Sequence, residues 1–134
     1  MGAPANPSLR HEVKRWFNSK PPQVNVAVGA VGDDLSQTRI DRIEQLGLSK
    51  RVWLVGFLTD DKKRSALAAA TVYCLPSRQE GFSMAILEAM ACQVPVVISD
   101  QCHFPEVAEV GAGRIVPLDA IAVAHALESV LSNA

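Results

Sequence analysis

Glu80 and Glu88 stand eight residues apart in the stretch SRQEGFSMAILEAM, residues 77–90. The first lies in a glycine-containing turn, the second among Met, Ala, Ile and Leu. A buried carboxylate without a partner costs several kcal/mol unless it is paired, hydrogen-bonded or open to a ligand. The helix offers no partner of its own. The neighbours of Glu88 three and four residues away are Met84, Ala85, Ala91 and Cys92, none of them basic. Such a carboxylate has acceptors and no local donor, and two vicinal hydroxyls, as on a ribose, would supply donors in the right geometry. The plainer alternatives are a solvent-exposed Glu88, or one bound to a distant arginine such as Arg78 or Arg114. Glu80 would act on sugar hydroxyls or on a developing cation, or else be a surface charge.

Ser83 is expected to cap the helix that carries Glu88. Gly81, Phe82, Ser83 and Met84 would then present backbone N–H groups at the positive end of a helix dipole, a place suited to phosphate or diphosphate. Gly81 lets the backbone approach a ligand closely, and Ser83 adds a hydroxyl. Each feature alone is common in proteins; their combination is what carries information.

The elements that would position these residues follow from apolar runs alternating with helical patterns. VNVAVG (24–29), RVWLVGF (51–57), TVYCLPS (71–77) and PVVIS (95–99) are rich in Val and Ile and lack polar alternation, as buried parallel strands do. A shorter strand is expected at GRIVPL, 113–118. Between them, residues 33–46 place Leu35, Ile40, Ile43 and Leu46 at near-helical spacing and stop at Gly47. Residues 60–70 follow Thr59, a candidate N-cap, and carry Asp60 and Asp61 in the first turn. Residues 83–92 form the Glu88 helix. Residues 119–132 begin at Asp119 with Ile121, Ala124, Leu127 and Leu131 along one face. A further helix is expected near 8–18. The βαβα alternation implies an α/β fold, mainly parallel, doubly wound and Rossmann-like, with helices on both faces. In such sheets ligands gather at the carboxyl ends of strands. The turn after YCLPS meets that rule best.

Composition narrows the function classes. The 134 residues suffice for one core, and a net charge of −1 provides no basic field for nucleic acid. No apolar run approaches the roughly 18 residues of a membrane span. The N-terminal MGAPANPSLRHEVKRW lacks the apolar core of a signal peptide and reads as a tail. Residues 1–23 are therefore expected to be a tail with a possible helix, and 24–134 the folded domain. Lys14 and Arg15 beside Trp16 and Phe17 are expected to belong to a packed helix rather than to a membrane-surface patch. Cys74, Cys92 and Cys102 form no CxxC pair, so reduced thiols in a cytoplasmic protein are expected. His11, His103 and His125 show no ligand spacing, so no metal site is expected.

Residues 73–107, YCLPSRQEGFSMAILEAMACQVPVVISDQCHFPEV, resemble the signature segment of family 4-like retaining glycosyltransferases of the GT-B fold, the group 1 glycosyl transferases. The resemblance rests on Pro76-Ser77, Glu80-Gly81-Phe82-Ser83, Glu88-Ala89-Met90-Ala91-Cys92, Pro95-Val96-Val97 and Pro105-Glu106-Val107. The flanks LGLSKRVWLVGFLTDD and GAGRIVPLD extend it over about residues 24–131.

The resemblance implies the C-terminal half of a GT-B fold, which binds a nucleotide-sugar donor, a UDP- or GDP-sugar first of all. It implies that Glu80, Gly81, Phe82 and Ser83 contact the donor sugar, that Ser83 and Met84 face the diphosphate, and that Glu88 holds the ribose. Gly56, Phe57 and Leu58 would lie near the base. No cofactor or metal is required, because the helix N-terminus and basic side chains take the charge of the departing diphosphate. The expected partners are a nucleotide-sugar and an N-terminal acceptor-binding domain, without which this chain would not turn over efficiently. Membrane contact would come only through a full-length parent.

Three departures from the family pattern stand out. The Gly-Arg strand end and nearby Lys that bind the diphosphate have no counterpart, so one β-α unit is expected to be lacking. Gln93 stands where glycine is usual, and Cys102-His103-Phe104 replaces a glycine-rich approach to Pro105-Glu106. The acceptor domain is expected to be lacking from these 134 residues. Two alternatives to a transferase domain remain: a non-catalytic nucleotide- or sugar-binding module derived from the fold, and a nucleotide-sugar epimerase.

Overall fold

A computed structural model describes residues 26–29, 36–52, 54, 58–78 and 83–133. These residues divide into two compact units. One holds the helix α1 (Ser36–Gln45) and continues to Thr59; the other holds Val26–Gly29 and everything from Asp60 onward.

The second unit is a four-stranded parallel sheet in the order β1 (Val26–Val28), β2 (Val72–Leu75), β3 (Val96–Ser99) and β4 (Gly113–Val116). The register pairs Ala27 with Tyr73, Cys74 with Val97, and Ile98 with Ile115. Helices α2 (Asp60–Ala69), α3 (Met84–Ala91) and α4 (Glu106–Glu109) connect successive strands, and α5 (Ala120–Ser132) follows the last.

Side-chain alternation along the strands assigns each helix to a face. Tyr73, Leu75, Val96 and Ile98 point to one side, where Leu67 of α2, Ile86 and Ala89 of α3 and Val107 of α4 complete the larger core. Val72, Cys74 and Val97 point to the other, where they meet Ala126 of α5 with Val123, Leu127, Val130 and Leu131 around it. All three crossover helices thus lie on one face while the strands advance in one direction, so the crossovers share one hand. Helices cover both faces of an all-parallel sheet, the α/β Rossmann-like arrangement that the alternation implies. The fully buried Ile86 and Ile98 each contribute roughly 2 kcal/mol of apolar burial.

Helix ends follow local chemistry. Ser83 caps α3 by accepting from Ile86 N–H at 3.2 Å, and Asp119 caps α5 by accepting from Ala122 N–H at 2.9 Å. α1 stops where the spacing predicts, at Gly47 with φ +67°. There Gly47 N–H donates to the Glu44 carbonyl and Leu48 N–H to the Ile43 carbonyl, the paired bonds of a Schellman ending. α4 ends the same way at Gly111.

Several expectations need adjustment. The buried stripe of α5 runs through Val123, Ala126, Leu127, Val130 and Leu131, whereas Ile121 is 66% exposed and Ala124 is also exposed. An almost wholly apolar helix carries no unique stripe in its sequence, so the face is chosen by the sheet. A 3₁₀ turn at Asp100–Cys102 and the one-turn helix α4 occupy a stretch read only as a loop. The strand expected at 51–57 lies largely outside the described residues; of those described, Arg51 is in a turn and Val52 and Leu54 are in no strand. The tail and helix expected within residues 1–23 also lie outside them.

Candidate functional site

The carboxyl ends of β2 and β3 are tied together below the residues singled out in the sequence. Ser99 ends β3, is fully buried, and donates its hydroxyl to the Ser77 carbonyl just past β2. The Cys102 thiol donates to the Leu75 carbonyl at 3.5 Å and lies 3.6 Å from Ser99 Oγ. These contacts fix the start of the loop that runs from β2 towards α3.

The N-terminus of α3 opens from that loop. Ser83 is 5% exposed, and its Oγ is engaged as the cap acceptor, so the hydroxyl proton is what remains for a ligand. Ile86 N–H is taken by the cap, whereas Met84 and Ala85 N–H make no hydrogen bond to a described residue. Among the described residues the first turn thus leaves the N–H groups of Met84 and Ala85 without an acceptor, and the spacing alone does not single out Ala85. The Met84 side chain is 59% exposed and Leu87 36%, an apolar edge beside the turn.

Glu88 sits one turn into α3 at the boundary between core and solvent. Its partner is neither Arg78 nor Arg114. Lys63 Nζ of α2 lies 3.0 Å from Glu88 Oε2, with the two side chains 39% and 32% exposed. Oε2 itself is buried and makes no well-directed hydrogen bond to the described residues, so the ammonium contact is its compensation. Arg114 stands in register with Val97, on the face of the sheet that α5 covers, and cannot reach across to α3. Arg78 is exposed in the loop. Spacing along one helix does not reveal Lys63; the clue lies in the βαβ pattern, which lays α2 and α3 on the same face.

The other expected residues are placed as follows. Glu80, Gly81, Phe82, Gly56 and Phe57 lie outside the described residues. Leu58 is half-buried in the other compact unit. His103 is exposed, with φ +49°, and Glu106 is exposed at the start of α4. Among the described residues no three His, Cys, Asp or Glu side chains converge, and no helix is long and apolar enough to cross a membrane. The cysteines are free thiols, Cys74 and Cys102 buried and Cys92 half-buried. Burial, with Cys102 nearby, pushes the Cys74 thiol up to about 11.

The family described as "Glycosyl transferases group 1" matches residues 9–133. A phosphatidyl-myo-inositol mannosyltransferase of Mycolicibacterium smegmatis is 37% identical over 116 residues, 84% of this chain and 29% of its own length. The O-antigen chain mannosyltransferase B of Escherichia coli is 44% identical over 78 residues, covering 56% of this chain and 20% of its own. An MMP alpha-(1->4)-mannosyltransferase of Mycolicibacterium hassiacum is 43% identical over 65 residues, 48% of this chain and 16% of its own. The chain thus spans less than a third of the length of each of these relatives.

Proposed function

Because this chain belongs to the group 1 glycosyl transferases, we propose that it forms the donor-binding part of a retaining transferase that moves a glycosyl group from a nucleoside diphosphate sugar to an acceptor. In this reading Glu88 accepts from the ribose hydroxyls. The first turn of α3, with the amides of Ser83 and Met84, takes the diphosphate. Glu80, Gly81, Phe82 and Ser83 face the sugar, and Gly56, Phe57 and Leu58 lie towards the base. A UDP- or GDP-sugar serves as donor and no metal is needed. The acceptor would be held by a further domain, and the names of the three relatives make mannosyl the first sugar to test.

In the reaction the bond from the anomeric carbon to the diphosphate oxygen breaks and the acceptor oxygen bonds to that carbon with retained configuration. The acceptor hydroxyl gives up its proton, and the nucleoside diphosphate leaves with the bonding electron pair. Two groups of this chain support that departure. The helix N-terminus stabilises the charge growing on the diphosphate, and the cap bond from Ser83 keeps the first turn in place.

The observation that carries the reading is Glu88: a carboxylate one turn behind a capped helix N-terminus, in a chain of this family, held from within and still one-third exposed. Thermal-shift and ligand-observed NMR measurements with UDP, GDP, ADP and TDP, with and without mannose attached, test it. One nucleotide is expected to bind saturably to the wild type and to lose most of that binding in Glu88→Ala. At a hundred times its Kd such a ligand raises stability by about 2.7 kcal/mol. Equal binding by wild type and Glu88→Ala would remove Glu88 from the site.

A further inference from the structure

We propose that Lys63 is a positioning residue for Glu88: its ammonium anchors the inner carboxylate oxygen so that the outer one is presented to the ribose. The inference rests on the reading of Glu88 as the ribose acceptor and adds a residue from a different helix to that site. Three observations support it.

First, the two oxygens of Glu88 are not equivalent. Oε2 is buried while the side chain as a whole is 32% exposed, so the exposure lies elsewhere on the group. The 3.0 Å contact to Lys63 Nζ is made by the hidden oxygen. A carboxylate swinging freely on a helix surface would offer either oxygen in many rotamers, and tethering one removes that freedom before the ligand arrives.

Second, folding stability gains little from the pair beyond compensating the buried Oε2. Both partners are about a third exposed, and ion pairs at such exposure contribute little to folding. The cost of holding a long lysine side chain in one geometry therefore finds its return in function. In the run Lys62-Lys63-Arg64 of α2, Lys62 and Arg64 are exposed and Lys63 alone is half-buried towards α3.

Third, charge placement is favourable. Glu88 is four residues from Met84, so on the helix axis it stands about 6 Å behind the first-turn amides. A bare carboxylate there would repel a diphosphate seated on those amides. Lys63 cancels that charge at its source.

The test compares dissociation constants for GDP with 2′-deoxy-GDP, and for UDP with 2′-deoxy-UDP, across wild type, Lys63→Met, Lys63→Arg and Glu88→Gln. Wild type is expected to prefer the ribonucleotide. Lys63→Met is expected to weaken both nucleotides, because the bare carboxylate then faces the diphosphate, and to weaken the ribonucleotide about tenfold more than its 2′-deoxy analogue, the loss of one charge-assisted hydrogen bond to the ribose. Lys63→Arg restores the preference, which a merely structural contact would not do. If Lys63→Met fails to fold by circular dichroism, Lys63→Gln replaces it. A Lys63→Met protein that keeps the full ribose preference, while Glu88→Gln loses it, overturns the role of Lys63 and leaves Glu88 in place. Wild type that binds none of the four, or shows no ribose preference, overturns the reading of Glu88 and Lys63 with it.

Discussion

Gln93 holds at the end of α3 the backbone conformation that Gly47 holds at the end of α1. Gln93 has φ +59° and Gly47 φ +67°. Both ends close with the same two bonds: Gln93 N–H donates to the Met90 carbonyl and Val94 N–H to the Ala89 carbonyl, as Gly47 and Leu48 do two helices earlier. A side chain in this left-handed region carries a steric cost that glycine avoids. The reason glycine is usual at this point of the family signature is therefore visible in the backbone.

Gln93→Gly is expected to stabilise the chain by about 0.5–1 kcal/mol, the relief of strain less the added freedom of glycine in the unfolded state. The Gln93 side chain is exposed, so no core contact is lost. Urea denaturation of the two proteins, compared at constant m-value, checks the sign.

Ser99→Ala removes the donor to the Ser77 carbonyl at the start of the β2–α3 loop. Leaving that carbonyl without its buried partner should cost about 1–2 kcal/mol. Amide hydrogen exchange is expected to quicken at Ser77 and Arg78 and to stay slow in β4. Uniform quickening across the sheet would mean that Ser99 supports the whole core rather than the loop.

Cys74 makes stability fall with alkali. Its folded-state value is raised by burial and by Cys102, so the native protein holds a proton that the unfolded chain releases. The contribution is complete below the ordinary value of 9.0 and is lost as pH rises from there through about 11. Cys74→Ala should flatten that part of the stability curve even if it lowers the curve as a whole. At pH 8 Cys74 should resist alkylation in the folded protein while the half-buried Cys92 reacts first, a difference that peptide mass mapping reads directly.

Two neighbours on α3 should respond differently to truncation. Ile86 is 0% exposed and Met84 59% exposed, two residues apart on one helix. Ile86→Ala should cost about 2–5 kcal/mol through the cavity it leaves. Met84→Ala should stay within about 0.5 kcal/mol. Comparable losses would mean that Ile86 does not face the sheet and Met84 does not face away from it.

What the sequence determined alone was whatever is decided within a few residues. Ser83 and Asp119 announce helix starts because a short polar side chain reaches an N–H three residues on, and Gly47 announces a stop because only glycine takes a positive φ without cost. The Val- and Ile-rich runs of β2 and β3 announce parallel strands because both faces of each are covered. The turn ahead of α3 was legible as a candidate site for the same reason, since its chemistry is concentrated in one continuous segment. Tertiary structure decided what lies between distant segments. The partner of Glu88 comes from α2, 25 positions earlier in the chain, and no spacing rule within one helix reaches that far. The buried stripe of α5 was chosen by the sheet it covers, because an apolar helix presents several equivalent faces. Val28, a strand residue by every local measure, is 61% exposed, because among the described residues α5 packs over β2, β3 and β4 and stops short of β1.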